Sequence, residues 1–164
     1  IRVVDPVMIA GSGARLLRED AIEAMIQELI PRAELLTPNV YEAEILSGRP
    51  IATESDLRDA AHAIADRTGR SVVAKGGNLP SDRILNVLVH KENETLFHLS
   101  RVKARETHGA GCAFSAAITA LMAAGHSLQE AVEKAGSYIA NALTTARPAG
   151  NHHPLNFNSG HPHF

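Results

Sequence analysis

The most restrictive feature of this sequence is an alternation. Short runs of β-branched and aliphatic residues, stopped by proline or glycine, are separated by stretches whose apolar residues recur with helical spacing. Ile1 to Asp5 is one such run, followed by Pro6, which has no backbone N–H to give to a ladder and so fits a strand end. Ile22, Met25, Ile26, Leu29 and Ile30 then fall at i, i+3, i+4, i+7 and i+8, predicting a helix with one face against a sheet, ended by Pro31. Glu34 to Thr37 reads as a strand halted by Pro38, and Tyr41 to Leu46 as a short helix closed by Gly48. Thr53-Glu54-Ser55-Asp56 has the form of a capping box, with Leu57, Ala60, Ala61, Ile64 and Ala65 at helical spacing as far as Gly69. Ser71 to Ala74 predicts a buried strand, and Ile84 to His90 with Thr95 to Val102 a hairpin around Lys91 to Glu94. Cys112 to Ala124 is Ala-rich and predicts a buried helix ended by Gly125. Ser127 to Glu130 caps the next helix, which reaches about Ala146. Strands alternating with helices predict one α/β domain, its largely parallel sheet lying between helices, with an irregular tail from Asn151 to Phe164.

Composition narrows the partners. Sixteen basic against eighteen acidic residues give a formal charge of −2, with no block of like charge to draw a nucleic-acid backbone or an anionic membrane. No apolar run approaches the roughly 18 residues of a membrane span. Cys112 is the one cysteine, so an intrachain disulfide and a CxxC zinc site are excluded, and a cytoplasmic setting fits best. The chain opens directly on a strand pattern without an initiator Met, which suggests an N-terminally truncated piece.

In an open parallel sheet, ligands bind beyond the carboxyl ends of the strands, and Asp5, Asn39, Lys75 and the turn Gly109-Ala110-Gly111-Cys112 all follow predicted strands. These residue types also suit strand-to-helix turns for their own sake. Gly109 and Gly111 let a backbone close around an anion at a helix start, although the Walker A pattern is absent. Cys112 at that start is either a base with a thiol made more acidic by the helix or an inert core residue. Asn39 and Glu42 are placed to hold magnesium through waters, or simply to cap their helix. Lys75 suits neutralisation of phosphate oxygens, or is an ordinary loop lysine. Gly11-Ser12-Gly13 reads as a turn. The tail histidines His152, His153, His161 and His163 lack the spacing of a metal motif.

Taken together, VVDPVM (Val3 to Met8), LTPNVYEAEIL (Leu36 to Leu46), AKGGNL (Ala74 to Leu79) and THGAGC (Thr107 to Cys112) resemble the hydroxymethylpyrimidine/phosphomethylpyrimidine kinases of thiamine biosynthesis, in the ribokinase superfamily. The likeness runs in order from Ile1 to about Phe157 and covers roughly the last three fifths of such a kinase, so the family's glycine-rich start and much of its pyrimidine pocket are expected before Ile1. The resemblance implies a ribokinase-like three-layer α/β sandwich and transfer of the ATP γ-phosphoryl to an aminopyrimidine hydroxymethyl group, then to its monophosphate, in a homodimer. It implies that Asn39 and Glu42 organise Mg²⁺ and its waters, with Asp5 near the ion and phosphates. By the same resemblance Lys75 is the phosphate-proximal lysine, Gly109, Ala110 and Gly111 match the anion hole, Thr107 is a further cofactor-binding residue, and Cys112 is the base. The family's glycine-threonine-glycine-cysteine is here Gly109-Ala110-Gly111-Cys112, which loses a hydroxyl and keeps the backbone donors. A pyridoxal kinase of the same superfamily and a non-catalytic nucleotide-binding fragment are the alternatives.

Overall fold

A computed structural model describes residues 1–10, 13–102, 109–149 and 153–158. The chain divides into two compact units, Arg2–His98 and Leu99–Phe164, the latter with Ile1. Thr107 and His108, the Gly11-Ser12 part of the proposed turn, and His152, His161 and His163 lie outside the described residues.

The first unit is built on a sheet in the order β1 (Val3–Val4), β2 (Leu35–Leu36), β3 (Ser71–Lys75), β4 (Arg83–His90), β5 (Asn93–Ser100). β1, β2 and β3 run parallel, with Val4 opposite Leu36 and Leu36 opposite Val72. β4 lies antiparallel to β3, with Val73 opposite Leu88 and Lys75 opposite Asn86. The sheet is therefore mixed, its antiparallel part supplied by the predicted hairpin, which turns at Lys91 with φ of 56°. Period-two alternation gives the two faces different tasks. Val72, Ala74, Val87 and Val89 share a core with Val40, Ala43 and Leu46 of α2 (Val40–Ser47) and with Leu57, Ala60, Ala61 and Ile64 of α3 (Glu54–Thr68). The register pairs Val73/Leu88 and Lys75/Asn86 leave the opposite face.

Local signals set the helix ends. Thr53 and Asp56 form the predicted capping box of α3, and Gly69 closes that helix in the left-handed region, where a side chain would be strained. The stretch after Arg18 departs from its expected form. It is a short helix α1 (Glu19–Ala24), a π-helical segment Met25–Leu29 and a 3-10 turn Ile30–Arg32 with Pro31 near its start. Ile22 and Ile30 are buried, whereas Ile26 and Leu29 are 36% and 45% exposed. The wider π turn rotates successive side chains by less than a 3.6-residue turn does, so the stripe written in the sequence does not stay on one face.

In the second unit, α4 (Ala110–Ala123) packs on α5 (Leu128–Thr144) through the buried residues Phe114, Ile118 and Leu121 of α4 and Val132, Ala135 and Ile139 of α5. α4 was expected to be a buried helix. Only one side of it is buried, and Cys112 is exposed, because alanine and glycine dominate its outer side without supplying bulk to bury. Ser127 and Glu130 form the predicted capping box of α5. The described part of the tail, residues 153–158, is neither helix nor strand. Tyr138 stacks on Phe157 and donates its hydroxyl hydrogen to the Phe157 carbonyl at 3.0 Å. Among the described residues no helix is long and apolar enough to cross a membrane.

Candidate active site

The carboxyl ends of β1, β2 and β3 bring Asp5, Thr37, Asn39, Glu42 and Lys75 together. Parallel pairing produces this edge: Thr37 donates its backbone N–H to Val4 O at 3.1 Å, Lys75 donates its own to Pro38 O at 2.8 Å, and Asn39 bridges to Lys75. Residues 70 apart in sequence thereby meet, Lys75 Nζ donating to Asp5 Oδ1 at 2.7 Å. Lys75 is only 9% exposed, so the loop-lysine reading does not hold, and Asp5 is the partner a buried ammonium requires.

Asp5 is used asymmetrically. Its Oδ1 accepts from both Lys75 and Thr37 Oγ1, the latter at 3.2 Å, while its Oδ2 is buried with no hydrogen-bond partner. Thr37 is fully buried and was not singled out from the sequence. The one available cue was its place between a strand and Pro38.

Asn39 and Glu42 form a capping box at the start of α2. Asn39 Oδ1 accepts the Glu42 N–H at 3.0 Å, and Glu42 Oε2 accepts the Asn39 N–H at 2.8 Å. Glu42 Oε1 also accepts the Met8 N–H at 3.3 Å, a contact that ties the loop after β1 to α2. Glu42 is 1% exposed, and burial pushes its carboxyl above the usual range against the pull of the Asn39 and Met8 N–H groups and of Lys75. The capping and magnesium readings therefore occupy the same atoms. Each Asn39 or Glu42 oxygen already holds one backbone N–H and keeps a further lone pair, and Asp5 Oδ2 holds none. No group of three or more His, Cys, Asp or Glu suited to a metal occurs among the described residues. A few hard oxygens without an all-protein cage fit Mg²⁺, which keeps several of its own waters.

In the second unit, Gly109 caps α4 at φ 87° with no side-chain cap, so backbone alone forms the mouth of the helix. The first-turn N–H groups of Ala110, Gly111 and Cys112 lie at the positive end of the helix dipole, and the Gly109 carbonyl takes the Ala113 N–H at 2.8 Å. Cys112 sits in that turn and is exposed, which removes the core-thiol reading. Ser115 Oγ anchors the same turn by donating to Gly111 O at 3.0 Å.

The chain as a whole matches a known family. The family model for phosphomethylpyrimidine kinase matches residues 1–156. The chain belongs to the phosphomethylpyrimidine kinase family. It is 39% identical over 163 residues to the hydroxymethylpyrimidine/phosphomethylpyrimidine kinase of Haemophilus influenzae, covering 97% of this chain and 58% of that relative. Among solved structures, a phosphomethylpyrimidine kinase from Clostridium difficile is 36% identical with a TM-score of 0.73, over 85% of this chain and 56% of that one. A Staphylococcus aureus pyridoxal kinase, in complex with AMP-PCP and pyridoxal, is 33% identical with a TM-score of 0.85, over 96% and 57%. The fold is thus the ribokinase-like α/β fold of these vitamin kinases, and the chain spans less than three fifths of each of these relatives.

Proposed function

We propose that this chain is the C-terminal part of a single ribokinase-like kinase domain. The whole enzyme transfers the γ-phosphoryl of ATP to the hydroxymethyl oxygen of 4-amino-5-hydroxymethyl-2-methylpyrimidine, and in a second turnover to the resulting monophosphate. The observation that carries the reading is the buried Lys75–Asp5 pair at the ends of the parallel strands, beside Asn39 and Glu42, in a chain that the kinase family model matches from residue 1 to 156. A cytoplasmic homodimer is the setting proposed with it.

The chemistry asks for positioning and charge neutralisation more than for covalent catalysis. The new bond joins the hydroxymethyl oxygen to phosphorus, the bond from phosphorus to the leaving ADP oxygen breaks, and the alcohol proton passes to Cys112 Sγ as thiolate. Lys75 offers positive charge to the phosphoryl oxygens, and Asp5 holds that side chain in place through the 2.7 Å hydrogen bond. Backbone N–H groups of Gly109, Ala110 and Gly111 receive negative charge at the start of α4, and Thr107 is proposed as a further cofactor-binding residue. Asn39, Glu42 and Asp5 are the residues that would hold magnesium through its waters. When bound, the ion supplies additional positive charge at the phosphates.

The higher TM-score to pyridoxal kinase favours a second reading, in which the accepting hydroxymethyl group belongs to pyridoxal. The test is a coupled kinase assay on a chain extended to full family length, with the pyrimidine and pyridoxal offered in parallel. Turnover is expected with the pyrimidine, and Cys112→Ser should lose most of it while folding like the parent. Faster turnover of pyridoxal would overturn the substrate assignment, and undiminished activity of the Ser variant would remove Cys112 as the base.

A further inference from the structure

Thr37 is a fully buried hydroxyl residue that the proposed chemistry does not use. It follows β2, and its backbone N–H donates to Val4 O at 3.1 Å, so its main chain is fixed against the residue before Asp5. Its Oγ1 donates to Asp5 Oδ1 at 3.2 Å. That same oxygen takes Lys75 Nζ at 2.7 Å, while Asp5 Oδ2 takes no hydrogen bond. The two donors on Oδ1 differ in freedom. A lysine ammonium is a point charge on a flexible four-carbon stem, so it can follow a carboxylate as it turns and bond either oxygen. The carboxylate torsion is broad and roughly two-fold, so the ion pair alone does not select Oδ1 over Oδ2. Threonine is branched at Cβ and stiff at χ1, and its hydroxyl cannot follow. Of the two groups on Oδ1, Thr37 is therefore the one able to stop Asp5 from turning, and so to fix where the Lys75 ammonium stands.

We infer that Thr37 is a positioning residue for phosphoryl transfer, its hydroxyl holding the Asp5 carboxylate so that the Lys75 ammonium stays in one place. The inference deepens the phosphoryl-transfer reading above and rests on it. Thr37 acts through Asp5 and Lys75 rather than on the reacting atoms. Lys75 must meet charge that develops on oxygens in flight between donor and acceptor. An ammonium free to exchange between two carboxylate oxygens meets that charge less well than a fixed one. The loss on freeing it falls on kcat rather than KM, because a mobile ammonium still attracts the ground-state phosphates. A hydroxyl that served packing alone would change stability and leave this split unmoved.

Two substitutions separate the hydroxyl from the methyl group. Thr37→Val keeps the branched shape and loses the donor, whereas Thr37→Ser keeps the donor and loses the methyl. On the chain extended to full family length, Thr37→Val should lower kcat for the pyrimidine about tenfold or more, with KM for Mg·ATP within about twofold of the parent. Thr37→Ser should retain most of the parental kcat. A second measurement needs no turnover. Acetylation of Lys75 in the 164-residue chain is followed by mass spectrometry against the exposed Lys91 as internal standard. It should quicken several-fold in Thr37→Val, where the amine spends time off its hydrogen bond, and not in Thr37→Ser. Equal loss of kcat in the two variants, parental kcat in Thr37→Val, or unchanged Lys75 labelling in that variant would each overturn the inference. Should Thr37→Val fail to fold, Thr37→Ser against Thr37→Ala makes the same comparison, since that pair differs by the hydroxyl alone. An extended parent without kinase activity would sink the function proposed above, and the labelling would then still uphold or overturn the hold of Thr37 on Lys75.

Discussion

Asp5 and Lys75 illustrate how little freedom the residues of this edge possess, and Gly76 shows why. A Cβ built on Gly76 would stand 2.3 Å from the Leu85 carbonyl oxygen and 3.0 Å from Leu57 Cδ2. The first obstacle is backbone, which cannot swing aside as a side-chain tip can. Glycine at this position lets the chain turn immediately after β3 while lying against β4, and that turn fixes where the Lys75 stem begins. Gly76→Ala should cost about 1–3 kcal/mol of stability through overpacking and should displace Lys75 from Asp5. Urea unfolding checks the first effect, as a lower midpoint at unchanged slope. A variant with an unchanged midpoint would mean that β4 yields more easily than its ladder suggests. Legibility also differs residue by residue. Lys75, Asn39 and Glu42 stood out because each follows a strand pattern directly, whereas Thr37 and Asn86 gave no local sign of their neighbours. Their place beside Asp5 and Lys75 comes from pairing across strands, which no short window of sequence contains.

Among the elements, the most legible were those whose signals are local. The capping boxes of α3 and α5 and the terminating Gly69 and Gly125 act within one or two turns, so pattern and structure agree there. The stretch from Ile22 to Ile30 was misread because its spacing permits a regular helix that the π segment does not keep. One contact between elements lends itself to a pH test. At the start of β5, Glu94 receives both Nε and Nη2 of Arg58 on α3, the latter at 2.7 Å, and its other oxygen lies 3.2 Å from His62 Nε2. The Arg58 hydrogen bonds, more than any other influence, hold the Glu94 carboxyl below its ordinary value of 4.5. A carboxyl held lower in the folded chain contributes stability that is complete above that ordinary value and is lost as pH falls through the folded one. Arg58 is about half exposed, so the contribution should be about 1 kcal/mol or less. Urea unfolding at about pH 7 and about pH 3 should show Glu94→Gln less stable than the parent only at the higher value. Parallel curves at both would show that the contact does not hold β5 to α3.

For the whole molecule, the family match extends over residues 1–156 while the chain spans 58% of the Haemophilus relative. The phosphate and magnesium residues of the proposed site lie in this chain, and the resemblance assigns most pyrimidine contacts to the part of the family that it does not contain. The chain alone should therefore bind Mg·ATP weakly and turn over the pyrimidine at least roughly 100-fold more slowly than the extended protein, because misplaced reactants forfeit the gain from orientation. Calorimetry with Mg·ATP, followed by the pyrimidine assay, measures both, and rapid turnover by the 164-residue chain would contradict this division of labour. The Lys75–Asp5 pair also bears on the order of folding. Its partners are 70 residues apart, and closing a loop of that length costs about 4 kcal/mol in chain entropy, more than an unassisted ion pair returns. The pair cannot gather its strands. β1, β2 and β3 must first be brought into register by the burial of Leu36, Val72 and Ala74 against α2 and α3. A collapsed chain that has its helices but not its sheet consequently has no affinity to offer a phosphate, and ligand cannot rescue it before the last strand is in place.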